Sequence, residues 1–288
     1  MKEKRLKISV HSTKEILLIL FVICILITAF ALIPLPGGDD WEHFRGASQR
    51  ILKGTPLYGE KVTHGFFSNP PWVALILLPI SLLPFHWGWA TVITLSAFLL
   101  IILCHHWRFG ILKAILVLLS PASFYIFLHG GIDVFVLAGI LLPRESWYIV
   151  AVSKPQVAIG LIFGVDKDRM IKAIIITLLI LLLSILFFGF WPLEIFRQGA
   201  PFINAPHNIW AGLWPFQVPA GLMLLLLGIR RKDEKLLIAS SPILSPYAAI
   251  SSMLGPWMAL VSYLRKWEVV IIFIAWWGAV IYRLLGFY

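Results

Sequence analysis

Gly37-Gly38-Asp39-Asp40-Trp41-Glu42-His43-Phe44-Arg45-Gly46-Ala47 opens the longest polar interval of this chain, which runs on through Gly54-Thr55-Pro56-Leu57-Tyr58 to Asn69-Pro70-Pro71. On either side the sequence is oily. Ile16 to Ile33 is an apolar run of eighteen residues with one Thr and no charge, long enough to cross a bilayer core. Lys2, Lys4, Arg5, Lys7 and Lys14 precede it, which by the positive-inside rule places residues 1–15 in the cytoplasm. A cleaved signal peptide is the competing reading. The run is too long for one, and Leu35-Pro36-Gly37 is a poor small-x-small cleavage site. Residues 34–70 are therefore expected as a first outer loop.

Inside that loop, Gly38 and Gly54 bracket a predicted helix from about 40 to 53. Trp41, Phe44, Ala47 or Ser48, Ile51 and Leu52 recur at helical spacing, with Arg45, Gln49, Arg50 and Lys53 elsewhere on the surface. This is the pattern of an amphipathic helix lying in the membrane interface. Asp39, followed three residues later by Glu42, reads as a variant capping box, with Asp39 accepting from backbone N–H groups. Asp40 is not needed for capping and is the freer carboxylate.

Composition sets the class. Sixty per cent of the residues are hydrophobic and 13% charged, and the mean hydropathy is +0.90, which excludes an ordinary soluble domain. The net charge of +10 is spread over connectors between apolar runs, so it reads as positive-inside topology and contact with membrane lipids rather than nucleic-acid binding. Cys24 and Cys104 lie within apolar runs and form no disulfide framework or metal motif.

The expected spans are 16–33, 71–84, 87–104, 111–128, 131–142, 146–164, 173–190, 212–229, 236–264 and 268–285. The chain thus reads as an all-α polytopic membrane protein with about eight to ten transmembrane or re-entrant helices in a single integral membrane domain. Pro79 and Pro84, Lys154-Pro155, Ser241-Pro242 and Ser245-Pro246 interrupt several of them. Broken segments persist at membrane depth where the freed backbone is buried in protein or lines a wet cavity. Asp166 to Lys172, Arg230 to Lys235 and Arg265-Lys266 are basic clusters expected in the cytoplasm. Residues 191–211 read as a second outer loop. Charge alone leaves the parity of 71–165 open: Arg108 and Lys113 fall outside if 71–84 crosses, inside if it is re-entrant.

From Asp40-Trp41-Glu42-His43-Phe44 through Gly54-Thr55-Pro56-Leu57-Tyr58, Asn69-Pro70-Pro71 and the Leu-Leu-Pro pairs ending at Pro79 and Pro84, and on to Lys154-Pro155-Gln156, the sequence resembles the GT-C superfamily of membrane glycosyltransferases. It is most similar to glycosyltransferase family 87, the polyprenyl-phosphate-mannose-dependent mannosyltransferases. Ser245-Pro246-Tyr247 sits where such proteins often carry a Ser-Pro-aromatic element. Gly130-Gly131, with Asp133 nearby, stands where a Gly-Gln is common.

The resemblance implies a GT-C-like fold in the plasma membrane of a prokaryote. It implies transfer of a sugar from a polyprenyl-phosphate donor to a lipid or glycan acceptor hydroxyl on the extracytoplasmic side. An acceptor hydroxyl needs a carboxylate to take its proton, and Asp40 is the expected catalytic base. The leaving lipid phosphate needs cations or N–H donors. Asp39, Arg45, Tyr58, His64, Lys154, Gln156, His207 and Tyr247 are the expected donor- and substrate-binding residues. Lys154 lies in an apolar stretch, where a Lys marks a site, pairs with a buried partner, here Asp133, or snorkels to the lipid headgroups. No phosphate loop or zinc motif is present, so neither metal nor cofactor is expected. Two other classes fit the broken helices: a transporter or flippase of lipid-linked sugars, and a shortened, non-catalytic relative acting as a membrane partner.

Overall fold

Proline and glycine cut the oily sequence into rods of unequal length. The computed structural model describes residues 13–199, 205 and 207–285; most of the basic N-terminal segment and residues 200–204 and 206 of the expected second loop lie outside them. Among the described residues there are fifteen α-helices and no strand beyond one bridge pairing Lys61 with Phe66. In order they are α1 (Thr13–Leu32), α2 (Asp39–Leu52), α3 (Pro71–Ser81), α4 (Phe85–His106), α5 (Ile111–Leu118), α6 (Pro121–His129), α7 (Asp133–Leu137), α8 (Trp147–Ser153), α9 (Pro155–Ala158), α10 (Lys167–Phe188), α11 (Trp191–Gly199), α12 (Val218–Arg231), α13 (Glu234–Leu244), α14 (Leu254–Tyr263) and α15 (Lys266–Leu284).

Three of these helices, α1, α4 and α10, are long and apolar enough to cross a membrane, and α5 with α6, bent by 49° at their junction, makes a fourth if counted as one span. The chain is therefore an α-helical protein whose long apolar helices are compatible with an integral membrane protein. Of the other expected spans, 268–285 folds as the nineteen-residue α15 and the rest as shorter pieces. Pro155 bars its predecessor from the helical region, so Lys154 sits at φ −155°, ψ 83° and separates α8 from α9. Of the two Ser-Pro pairs, Ser245-Pro246 ends α13, whereas Pro242 is carried inside it.

The elements sort into two ends. At one end, Trp41 Nε1 donates to Phe85 O (3.1 Å), tying α2 to the start of α4. At the other, the last turn of α4 meets the start of α13: His106 Nε2 and Trp107 Nε1 lie 3.0 and 2.9 Å from Glu234 Oε1. The twenty-two residues between span roughly 33 Å at 1.5 Å per residue, about a bilayer core. Lys113 Nζ donates to Leu264 O at 2.7 Å, and Tyr263 donates to Asp233. Arg144 pairs with Asp166 at 3.2 Å. Arg108 and Lys113 thus share an end with the other basic connectors. The reason is that α3 does not run from one end to the other: Ala74 near its start accepts from Ser48 of α2 (2.8 Å), and Ile80 near its finish faces Gly88 beside Trp41. On the far side of the same end, Trp191 stacks on Tyr58 at 6.1 Å and meets Trp72 edge-on at 5.6 Å. The expected first loop and the start of the expected second loop therefore lie together.

Trp41 is fully buried and depends on a missing side chain. A methyl on Gly88 would lie 2.4 Å from its Cζ2, so Gly88→Ala must displace the indole from its bond to Phe85. We expect a loss of about 1–3 kcal/mol, the usual cost of overpacking, read as a lowered unfolding temperature in detergent. Gly278→Ala is the control: no atom lies within 4 Å of its added methyl, and it should be neutral or slightly stabilising.

Candidate active site

The polar loop, the Gly-Gly turn and the Lys-Pro break, spread over more than a hundred residues of sequence, meet at one end. Helix α6 ends at His129, and Gly130 takes a left-handed φ of 74° that closes the helix by returning its N–H to Ile126 O (2.8 Å). The turn also has no room for a side chain, since a methyl on Gly130 would lie 2.7 Å from Trp41 Cβ. Gly38 N donates to Leu128 O at 2.9 Å, which docks the start of α2 onto the end of α6. The next residue, Gly131, is flanked by two carboxylates: its methyl would stand 3.1 Å from Asp40 Oδ2 and 3.2 Å from Asp133 Oδ2.

Asp133 opens α7 and is fully buried. Its Oδ2 accepts from Lys154 Nζ at 2.7 Å, the ion pair expected from the apolar setting of Lys154. Its Oδ1 is buried with no hydrogen-bond partner. Asp40 is half-buried in α2. Burial pushes its carboxyl above the ordinary carboxylate range. Among the neighbouring charges, Lys154 and His129 oppose the rise while Asp133 and Asp39 reinforce it. A carboxylate in this state is a better proton acceptor than one in water.

Asp39 departs from the capping expectation. Gly38 is the N-cap, with φ 87° and no side-chain bond, and Glu42 N donates to its carbonyl (2.8 Å). Helix α2 starts one residue early because a left-handed glycine can turn the chain without a side-chain cap. Asp39 is exposed and accepts from His129 Nδ1 at 3.1 Å.

The structure brings Asn69, Lys154, Gln156, His207 and Tyr247 to the same end. Asn69 Nδ2 donates to Ser153 O (3.1 Å) and Trp72 Nε1 to Ser153 Oγ (2.8 Å), pinning the Asn-Pro-Pro segment to the residue before Lys154. Gln156 follows two positions later on α9, half-buried. Tyr247 lies within electrostatic reach of Asp40 and Asp133. His207 meets it edge-on at 5.6 Å. Asn208 holds this corner together: its Oδ1 accepts from Ala248 N and its Nδ2 donates to Pro246 O.

Three expected residues stand elsewhere. Tyr58 is buried, its hydroxyl donating to Asn69 O at 2.7 Å, so it supports the Asn-Pro-Pro segment and does not reach the carboxylates. His64 is exposed and 3.5 Å from Glu42. Arg45, five positions beyond Asp40, lies well around the helix from it and faces Gln49. His129 and Tyr125 were not singled out from the sequence. Their rings pack at 4.1 Å, and their only sequence signal is their place one and five residues before the Gly130-Gly131 break.

Beside the carboxylates opens an apolar groove of about 1210 Å³, larger than the 300–1,000 Å³ of ordinary small-molecule pockets. It begins at Tyr125 and His207 and runs between α13, α14 and α15, past Trp257 and Trp276, to Leu260 and Tyr263. Among the described residues no group of three or more His, Cys, Asp or Glu is placed to hold a metal.

The electrostatics give a test that needs no substrate. In infrared titration, the carboxyl band lost in Asp40→Asn should titrate above the ordinary carboxylate pKa. In Asp133→Asn it should move to lower pH, because a repelling charge is gone. In Lys154→Met it should move to higher pH, because a stabilising cation is gone. Bands that stay in place in both variants would detach Asp40 from the pair. No family model matches the chain, and neither a curated protein nor a solved structure matches it.

Proposed function

We propose that the protein is a GT-C-type membrane glycosyltransferase that moves a sugar, mannose by the family resemblance, from a polyprenyl phosphate to a lipid or glycan acceptor hydroxyl at the outer face. The observation that carries this reading is a carboxylate with raised proton affinity within electrostatic reach of a half-buried ammonium, with a long apolar groove that begins close by, at Tyr125 and His207. The polyprenyl chain lies in the groove. Its phosphate stands at the mouth, where Lys154 and His207 offset the charge that grows as it leaves.

Asp40 takes the acceptor proton as the acceptor oxygen attacks the anomeric carbon. The bond from that carbon to the phosphate oxygen breaks, and the configuration inverts. No glycosyl-enzyme forms, so one acting carboxylate suffices. Asp133 orients Lys154. The positive-inside rule assigns the basic end to the cytoplasm, which puts the carboxylates on the outer side. A second reading, a flippase of lipid-linked sugars, draws on the groove's reach toward the opposite end at Tyr263.

Orientation is tested with single cysteines at Glu60 and Lys266, probed on intact cells with an impermeant thiol reagent. Position 60 should label and 266 should not; the reverse pattern would turn the site to the wrong face for this reaction.

Function is tested with the purified protein and labelled polyprenyl-phosphate-mannose. Asp40→Asn keeps the size but cannot accept a proton, so transfer should fall by about 10²–10⁴-fold, the usual contribution of a general base, while donor binding persists. Asp39→Asn keeps a hydrogen-bonding partner for His129 and should stay within a few-fold of the parent. Transfer untouched by Asp40→Asn would place the base elsewhere. Movement of the lipid-linked sugar across vesicles without transfer would favour the flippase.

A further inference from the structure

The apolar groove is lined by two polar residues, Arg283 and Tyr125, that take no part in the transfer as proposed. On α15 the lining residues are Ile272, Trp276, Ala279, Val280 and Arg283. Their spacing is that of one helical face, an apolar stripe closed by a cation in the last turn of the helix. The neighbours of α15 give its direction. It starts beside the basic end, where Lys113 Nζ donates to Leu264 O. Further along, Trp277 Nε1 donates to Leu119 O, between α5 and α6, at 2.9 Å. Arg283 follows Lys266 by seventeen positions, roughly 26 Å of helix at 1.5 Å per residue, which carries it to the carboxylate end.

At that end Tyr125 belongs both to the groove lining and to the surroundings of Asp40. Its ring packs against His129 at 4.1 Å, and His129 is held in turn by Asp39. The phenol hydroxyl makes no hydrogen bond among the described residues and is not one of the side-chain atoms sealed from solvent. It is therefore open to an occupant of the groove. Lys154 differs: it does not line the groove, and its Nζ is taken up by Asp133 at 2.7 Å.

We infer that Arg283 and the Tyr125 hydroxyl seat the phosphate of a lipid phosphate whose chain fills the groove. The chain lies along the apolar stripe, so the group attached to it meets the residues at which the stripe ends. A guanidinium there favours a phosphate over a neutral head, and the phenol adds an O–H donor. During transfer both groups donate to the phosphate oxygens as the bond to the anomeric carbon breaks. The inference rests on the reading that a polyprenyl chain occupies the groove, but it does not require that sugar is transferred.

The test follows tryptophan fluorescence of the full chain in an uncharged maltoside detergent, because Trp210, Trp257 and Trp276 line the groove. The probes are farnesyl phosphate, farnesol, which lacks the phosphate, and inorganic phosphate, which lacks the chain. Farnesyl phosphate should bind saturably and at least tenfold more tightly than farnesol. Arg283→Gln should weaken farnesyl phosphate tenfold or more, as loss of a charge-assisted contact does. Tyr125→Phe, which keeps the ring against His129, should weaken it several-fold, and neither variant should change farnesol binding. Lys266→Gln removes the same charge from the other end of α15 and should leave both ligands unaffected. If Arg283→Gln does not fold, Arg283→Lys, which keeps the charge but not the planar fork, should still show a several-fold loss. Equal affinity for farnesyl phosphate and farnesol in the parent, equal losses for both ligands in the variants, or inorganic phosphate bound as tightly as farnesyl phosphate would overturn the proposal. A parent that binds farnesyl phosphate through Arg283 yet moves no sugar from the labelled donor would retire the transferase reading and leave the phosphate seat standing.

Discussion

The ion pair between half-buried Lys154 Nζ and fully buried Asp133 Oδ2, 2.7 Å long, is the constraint around which the carboxylate end is arranged. It joins two places where helices are broken, the Gly-Gly turn after α6 and the Lys-Pro step after α8. Neither break could hold its position by helix propensity alone. Such a pair is a poor source of stability: desolvating two charges can cancel their attraction, and an apolar pair of equal volume often does as well. Losing one partner is different, because the survivor is left charged in a site that is 0% exposed at Asp133. The chain therefore carries an arrangement that is costly to disrupt and gives little net stability, which is what a pair kept for its position and charge looks like.

That position matters because of Asp40. Its neighbours pull in opposite directions: burial, Asp133 and Asp39 favour its proton, Lys154 and His129 oppose it. Glycine at 131 is what allows the carboxylates to approach, since a methyl there would stand within 3.2 Å of both. The Asp39–His129 pair sits on the exposed side of the same cluster. Two carboxylates adjacent in sequence are thus given different work by the surfaces they meet. One turns to water and a histidine, the other toward a buried ion pair.

Much of this was legible in the sequence. Apolar positions at helical spacing from Trp41 gave α2 within a residue of its ends, and Trp41, Phe44, Ala47 and Ser48 are the residues it buries. Proline after Lys154 predicted the break, and an ammonium among aliphatic residues predicted a partner. What could not be read locally depends on tertiary neighbours. Asp39 fits a capping pattern, but Gly38 already turns the chain, and only the fold brings His129 within reach. Tyr58 has the chemistry of a binding residue, yet its hydroxyl is used by Asn69 O. The crossing of 71–84 was undecided because charge reports which side a connector occupies, and α3 carries no charge. Its two ends both lie against α2 and the start of α4, a fact of packing.

Helix α13 shows how the two ends share material. Its first turn, at Glu234, closes the basic end, while Leu236, Ala239 and Ile243 line the apolar groove. It is only eleven residues long and carries Pro242, so its backbone hydrogen bonding is interrupted where the groove approaches the carboxylates. It is held from outside: Gly160 N donates to Ser241 Oγ (3.0 Å), and Trp210 Nε1 donates to Pro242 O (2.6 Å). On its other side, Gly228 of α12 approaches so closely that a methyl would lie 2.8 Å from Leu237 Cδ2. A short helix gripped at several points moves as a unit or not at all. One wall of the groove is therefore set by the placement of one rod, tied at its start through Glu234 to His106 and Trp107 and at its finish through Ser245 O to Gln217 Nε2.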